Sequence, residues 1–346
     1  MSNELDQCMI AITHNCNLRC SFCFAKEAGY SETDLIDFKD VKKIVDFCDD
    51  TQIKYIVLTG GEPTLHPDII KIIEYINDKH KFATAMTSNG IILSNKKFCK
   101  KLAGAGLNYL DISIKWRNNF DDILINEREC FAKQLNAIRN LSELGIEYTC
   151  SMVINEKNVD SFLEAIKNEV ENGGKAFSFT FALDNEDSSV KGSEYLKIHN
   201  PQKLISKFIS QADALDSITK NEWWVEYTFP LCAYTESQLN TLKGHLAGPC
   251  QIHKRNAITF DTTLNLLPCS MLLQNKIAKF GKDFNNYKQF NEMESDGKSL
   301  YTKTLNNLDM LPSNKCVDCQ KLDECFGGCP IIWKNYSFKD LELFSN

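Results

Sequence analysis

From residue 8 to about residue 183 the chain alternates short apolar runs with amphipathic stretches. The apolar runs are Cys8–Thr13, Tyr55–Thr59, Phe82–Thr87, Tyr109–Ile114, Tyr148–Ile154 and Ala176–Leu183, each of strand length. Between them, Lys39–Asp49, Asp68–Lys79, Asn95–Ala103, Phe131–Leu144 and Val159–Val170 carry apolar residues at helical spacing. Gly106 and Gly145 fall just past two of these helices, where a left-handed terminating residue is expected. Six strands alternating with helices predict an α/β fold with a parallel sheet and right-handed crossovers. The pattern alone allows either a barrel or an open sheet.

After Leu183 the rhythm changes. Asp184–Gly192 is polar and loop-like, and Pro201–Ile218 reads as one helix. The stretch Trp223–Gly248 has no clear period, and from Cys250 onward the chain is rich in loops and cysteine. The expected organisation is a core at 1–200, a bridging segment at 201–240 and a small cysteine-rich domain at 241–346.

With 43% hydrophobic and 25% charged residues the composition is that of an ordinary globular protein. A net charge of −7 and the lack of lysine or arginine runs argue against nucleic acid as partner. No run approaches the roughly 20 apolar residues of a membrane span. Met1–Gln7 is too polar and acidic for a signal peptide, so the cytoplasm is the expected location. The fifteen cysteines change the picture, because they are clustered and odd in number. In a chain without export signals such clusters point to metal rather than to disulfides. One group is Cys16, Cys20 and Cys23; the other is Cys250, Cys269, Cys316, Cys319, Cys325 and Cys329. Cys8, Cys48, Cys99, Cys130, Cys150 and Cys232 are scattered, and most are expected to be small core residues.

The first group reads CxxxCxxC, follows the first strand directly, and has Phe22 before its last cysteine. Three thiolates this close can hold three irons of a cubane and leave the fourth iron open. A zinc site is the competing reading, but zinc prefers four protein ligands in paired half-motifs. The motif resembles the signature of the radical S-adenosylmethionine (SAM) superfamily. That resemblance implies a partial (β/α)6 TIM-type barrel and a [4Fe–4S] cluster on Cys16, Cys20 and Cys23 whose open iron is chelated by SAM. It also implies reductive cleavage of SAM to a 5′-deoxyadenosyl radical that abstracts a hydrogen atom from substrate.

Sites of α/β folds lie at the carboxyl ends of strands, and the further motifs fall there. Gly60-Gly61-Glu62-Pro63 resembles the family's GGEP segment, with glycines for close backbone approach and Glu62 for the methionyl ammonium. Ser88-Asn89-Gly90 is similar to its TNG segment. Alternation puts Asp111, Ser113 and Lys115 on one face of the fourth strand. By resemblance Ser113 contacts the ribose; Lys115, where relatives often have Asp-Gly, contacts the SAM carboxylate or substrate, or is solvated. Ile154 and Asn155 fall where relatives contact the adenine through backbone.

Cys316-x2-Cys319-x5-Cys325-x3-Cys329 resembles the SPASM domain, a module that binds auxiliary [4Fe–4S] clusters. The resemblance assigns Cys316, Cys319 and Cys325 to one cluster and Cys250, Cys269 and Cys329 to the other, so one or two auxiliary clusters are expected. Leu264 stands where the pattern has glycine, and 331–346 lacks the final cysteine of the pattern. Cys232 is open to three readings: fourth ligand to the Cys250 group, hydrogen-atom donor to a product radical, or inert buried thiol. A zinc ribbon is the alternative for the whole C-terminal group.

Relatives with such modules mostly modify peptides, so maturation of a ribosomally made peptide by crosslinking, epimerisation or oxidation is the leading expectation. Oxidation of a small molecule or of a sulfatase residue is the second reading, and a non-catalytic iron–sulfur or zinc sensor or scaffold the third. With the core beginning at residue 8, a peptide is expected to be recognised by the barrel mouth, by the Glu222–Lys243 region or by a separate leader-binding protein. Trp223, Trp224, Tyr227, Phe229 and Trp333 are candidates for a groove, though packing is the commoner role. Electrons are expected from an external flavodoxin or ferredoxin.

Overall fold

The computed structural model describes residues 5–20, 23, 31–116, 127–183, 198–226, 228–295, 300–308 and 316–341. Phe22, Tyr227 and the predicted loop at 184–192 lie outside the described residues. The six expected strands are present as β1 (Gln7–Thr13), β2 (Tyr55–Gly60), β3 (Ala83–Ser88), β4 (Tyr109–Ile114), β5 (Glu147–Ile154) and β6 (Phe177–Phe181). The helices between them are α1 (Phe38–Asp49), α2 (Ile69–Asn77), α3 (Lys96–Gly104), α4 (Glu127–Leu144) and α5 (Phe162–Glu171). All neighbouring strands from β1 to β6 pair in parallel.

Strand alternation explains both faces of this sheet. Leu110, Ile112 and Ile114 of β4 are fully buried against the helices. The intervening Asp111 and Ser113 face a cavity together with Thr59, Thr87, Ser151 and Thr180 of the other strands. The helices bury complementary stripes, such as Val41, Ile44, Val45, Phe47 and Cys48 on α1. Cys8, Cys48, Cys99, Cys130 and Cys150 are buried, whereas Cys232 is half-buried.

The sheet continues past the expected sixth strand. Trp223–Val225 forms β7, parallel to β6, within the stretch that had no clear period. Before it, the single helix expected at Pro201–Ile218 is instead two: α6 (Pro201–Ile209) and α7 (Ala212–Thr219). The break falls at Ser210 and Gln211, where the Ser210 hydroxyl and the Gln211 side-chain amide both donate to Lys207 O, a carbonyl at the end of α6.

Two short helices follow, α8 (Glu236–Thr241) and α9 (Gln251–Lys254). β8 (Ala257–Phe260) then pairs in parallel with β1, and β9 (Asn265–Leu267) and β10 (Ala278–Lys279) extend that edge antiparallel. The strand order is β10-β9-β8-β1-β2-β3-β4-β5-β6-β7. With β10 and β7 as edges, the sheet is open, a partial barrel rather than a closed one. Phe47 of α1 makes edge or tilted ring contacts with Phe260, Phe280, Phe284 and Phe290, which fastens the C-terminal strands over the core. Trp223 and Phe229 are buried packing residues, and Trp223 stacks on His245 with ring centroids 3.9 Å apart. Among the described residues no helix is long and apolar enough to cross a membrane.

Candidate active site

The loop after β1 carries the first cysteine group, and the turn after β2 holds that loop in place. Gly61 N donates to Thr13 O at 2.7 Å and Glu62 N to Asn15 O at 2.8 Å. Packing against the protein backbone requires glycine at both positions. A Cβ on Gly60, whose φ is +134°, would lie 1.9 Å from Thr13 O, and one on Gly61 would lie 2.3 Å from Asn15 O.

Cys16, Cys20 and Cys23 gather in one small cluster with Leu18, Ile91 and the buried thiol of Cys130. Burial, then the nearby Glu62 carboxyl, pushes the Cys16 thiol up to about 12. Cys20 and Cys23 add to that shift, so the three sulfurs share one electrostatic environment.

Glu62 is completely buried. Its Oε1 accepts from Thr64 N at 3.2 Å, Thr64 Oγ1 at 2.5 Å and Ser88 Oγ at 2.8 Å. Its Oε2 accepts from Asn89 N at 2.7 Å. Burial raises its pKa against these four hydrogen bonds. Among the described residues no cation pairs with this carboxylate, and Oε2 keeps an unused lone pair. That is the electrostatic demand an ammonium ligand would meet.

Asn89 links the strands. Its side-chain amide donates to Asn17 Oδ1 at 2.7 Å and approaches Cys16 Sγ at 3.8 Å. Gln134 on α4, buried and unremarked in the sequence, ties the next two strand ends together. Its Nε2 donates to Asn89 O at 2.7 Å and Ser113 O at 2.9 Å, and its Oε1 accepts from Lys115 N at 2.9 Å. The signal for it was a glutamine on the apolar stripe of a helix. Lys115 is buried on the cavity wall with its ammonium on Ser113 Oγ. Ser151 donates to Asp111 Oδ1 and burial pushes the Asp111 carboxyl up to about 6.

These groups enclose a cavity of 290 Å³ at the carboxyl ends of the strands. Cys16, Cys20, Cys23, Gly60, Gly61, Ser88, Asn89, Ser113 and Lys115 line it. Glu62 and Pro63 stand behind the wall, Pro63 opening a 3₁₀ turn. Ile154 and Asn155 are not on it. Alternation turns the Ile154 side chain into the core, and the Asn155 carboxamide accepts from Lys157 N within its own turn. Val153 and Ser151 of the same strand line the cavity in their place, and Met271 reaches it from the C-terminal region.

The C-terminal cysteines fall into two places. Cys269 and Cys329 are pushed up to about 11 and 12 by burial, and both also feel Cys250. Leu264, at the position of the pattern's glycine, adopts a φ of +67°, the left-handed conformation that glycine adopts without strain. Cys316, Cys319 and Cys325 line a second cavity, of 320 Å³, and Cys232 lines it with them rather than joining Cys250. Among the described residues no three histidine, cysteine, aspartate or glutamate side chains stand close enough to hold a single metal ion.

Residues 10–168 match the sequence profile of the Radical SAM superfamily. The chain is 30% identical over 171 residues to the GTP 3′,8-cyclase of Aliarcobacter butzleri, covering 47% of this chain and 52% of that protein. It is 31% identical over 209 residues to the GTP 3′,8-cyclase of Clostridium perfringens, covering 58% of this chain and 64% of that protein. The chain thus spans about half the length of the curated relatives it matches. Among solved structures it resembles Streptococcus suis SuiB bound to precursor peptide SuiA, with a TM-score of 0.68 at 18% identity over 99% of this chain and 76% of that one. It also resembles anSMEcpe with bound AdoMet, with a TM-score of 0.70 at 16% identity over 97% of this chain and 92% of that one. These likenesses establish a shared fold. The profile match coincides with the strands that carry the three cysteines, the glycine turn and Asn89, so residues 10–168 are similar in sequence to the radical SAM superfamily domain.

Proposed function

We propose that this protein is a radical SAM enzyme that abstracts a hydrogen atom from a residue of a ribosomally made peptide, yielding a crosslinked, epimerised or oxidised product. The observation that carries the peptide reading is the cavity wall. Among its described residues Lys115 is the one cation, and it stands near the Asp111 carboxyl. A nucleoside triphosphate calls for a clamp of several arginines and lysines. This wall offers instead small hydroxyls and the apolar Val153, Phe181, Leu183 and Met271. The fold shared with the peptide-bound SuiB and anSMEcpe structures over nearly the whole chain supports the same reading.

In this reading Cys16, Cys20 and Cys23 hold the [4Fe–4S] cluster, and Glu62 supplies the buried negative charge for the methionyl ammonium of SAM. Ser88, Asn89, Ser113 and Lys115 orient the rest of SAM. Cluster and SAM, when bound, supply the 5′-deoxyadenosyl radical. The protein's own work is to align the substrate with that radical and exclude water. Residues 241–346 act as a SPASM-like domain, with auxiliary clusters at Cys250, Cys269 and Cys329 and at Cys316, Cys319 and Cys325. The 30% identity to GTP 3′,8-cyclases favours a second reading, cyclisation of a nucleotide.

Anaerobically reconstituted enzyme, given dithionite and SAM, should be offered short peptides encoded beside its gene and, separately, GTP. Formation of 5′-deoxyadenosine with a mass change or solvent-deuterium uptake in the peptide is expected. Consumption of GTP with untouched peptides would overturn the substrate reading.

A further inference from the structure

We propose that Cys232 is the fourth thiolate ligand of the iron–sulfur cluster held by Cys316, Cys319 and Cys325, so that this cluster is fully coordinated by the chain. The inference rests on the reading of that group as a cluster site and adds a ligand from before the cysteine-rich region.

Backbone contacts bring the segment around Cys232 to the others. Cys329 N donates to Thr228 O at 3.0 Å. Gly328 presses on Pro230 so closely that a Cβ there would lie 2.6 Å from Pro230 N. Leu231 N donates to Cys325 Sγ at 3.2 Å, the kind of backbone-to-sulfur hydrogen bond that tunes cluster thiolates. The 3₁₀ turn Leu231–Ala233 then places Cys232 on the wall of the 320 Å³ cavity with Cys316, Cys319 and Cys325.

The cavity of 320 Å³ that Cys232, Cys316, Cys319 and Cys325 line together is large enough for a polynuclear cluster. The side chains of Leu322 and Trp333 close the wall, as suits an apolar cluster pocket. A cluster held by four protein thiolates would have no open iron and so would not bind substrate through iron.

The test is iron and sulfide content, with electron paramagnetic resonance of the reduced protein, on the Cys16/Cys20/Cys23→Ala background with Cys232→Ala, Cys232→Ser or Cys319→Ala added. Cys232→Ala should lose about four irons per chain, as Cys319→Ala does, or should keep a cluster with an altered spectrum. In a Cys232→Gly variant, added 2-mercaptoethanol should restore the parent spectrum, which separates lost ligation from misfolding. Unchanged iron, sulfide and spectrum in Cys232→Ala, with iron lost in Cys319→Ala, would overturn the inference alone. Zinc in place of iron, or no loss in Cys319→Ala, would overturn the cluster reading beneath it as well.

Discussion

The backbone N–H of Asn89 donates to Glu62 Oε2 at 2.7 Å, locking the end of β3 to the turn after β2 through a buried carboxylate. Because the same carboxylate also holds Ser88 and Thr64, the strand ends that face the cysteine loop behave as one hydrogen-bonded unit. Glu62→Gln replaces one acceptor oxygen with a donor that must face another donor. The expected result is a loss of about 2 kcal/mol in stability and at least tenfold in SAM affinity. Urea unfolding and equilibrium SAM titration of the reconstituted protein check it.

Gly61→Ala tests the other half of that unit. The added methyl would meet Asn15 O at 2.3 Å, a backbone atom that cannot swing aside, so the loop leading to Cys16 must shift. Destabilisation of about 1–3 kcal/mol is expected. Iron content should fall along with it, since the displaced loop carries the first cysteine. Gly145→Ala, where a Cβ meets nothing within 4 Å, controls for backbone strain without collision.

Gln134→Leu keeps the size of the side chain and removes three buried hydrogen bonds. The carbonyls of Asn89 and Ser113 and the N–H of Lys115 would lose their partner. A cost of about 3 kcal/mol is expected. Calorimetry measures the cost, and the affinity for SAM should fall because Asn89, Ser113 and Lys115 all line the cavity.

Glu169 on α5 gives a pH dependence away from the site. It is fully buried beside the Cys150 thiol, and burial pushes its carboxyl up to about 8 from an ordinary 4.5. A folded-state value raised above the unfolded one means that the folded protein keeps a proton that the unfolded chain gives up. The stability this confers is complete below pH 4.5 and is lost as pH rises toward 8. The loss is on the order of 4 kcal/mol. Glu169→Gln should flatten the fall in denaturation midpoint across this window; an equal fall in the variant would assign the pH dependence elsewhere.

The sequence by itself determined the repeating β–α order from β1 to β6, because the apolar period of each segment is set by residues a few positions apart. It also marked the cysteine motif, the glycine turn and the polar strand ends, since each is a short contiguous string. It did not show β7, whose three residues carry too little period to read. Nor did it show that β8 pairs with β1, a choice made by which buried edge remains unpaired. Gln134 was illegible as a site residue because its role depends on two carbonyls from other strands. At Leu264 the sequence lacks glycine, yet the turn adopts a φ of +67°, a conformation set by its surroundings and not by the residue's own preference. Cys232 was assigned to its cavity by tertiary structure alone: hydrogen bonds at Thr228 and Leu231 and the bare Cα of Gly328 dock its segment there, and no local pattern encodes contacts between such distant residues.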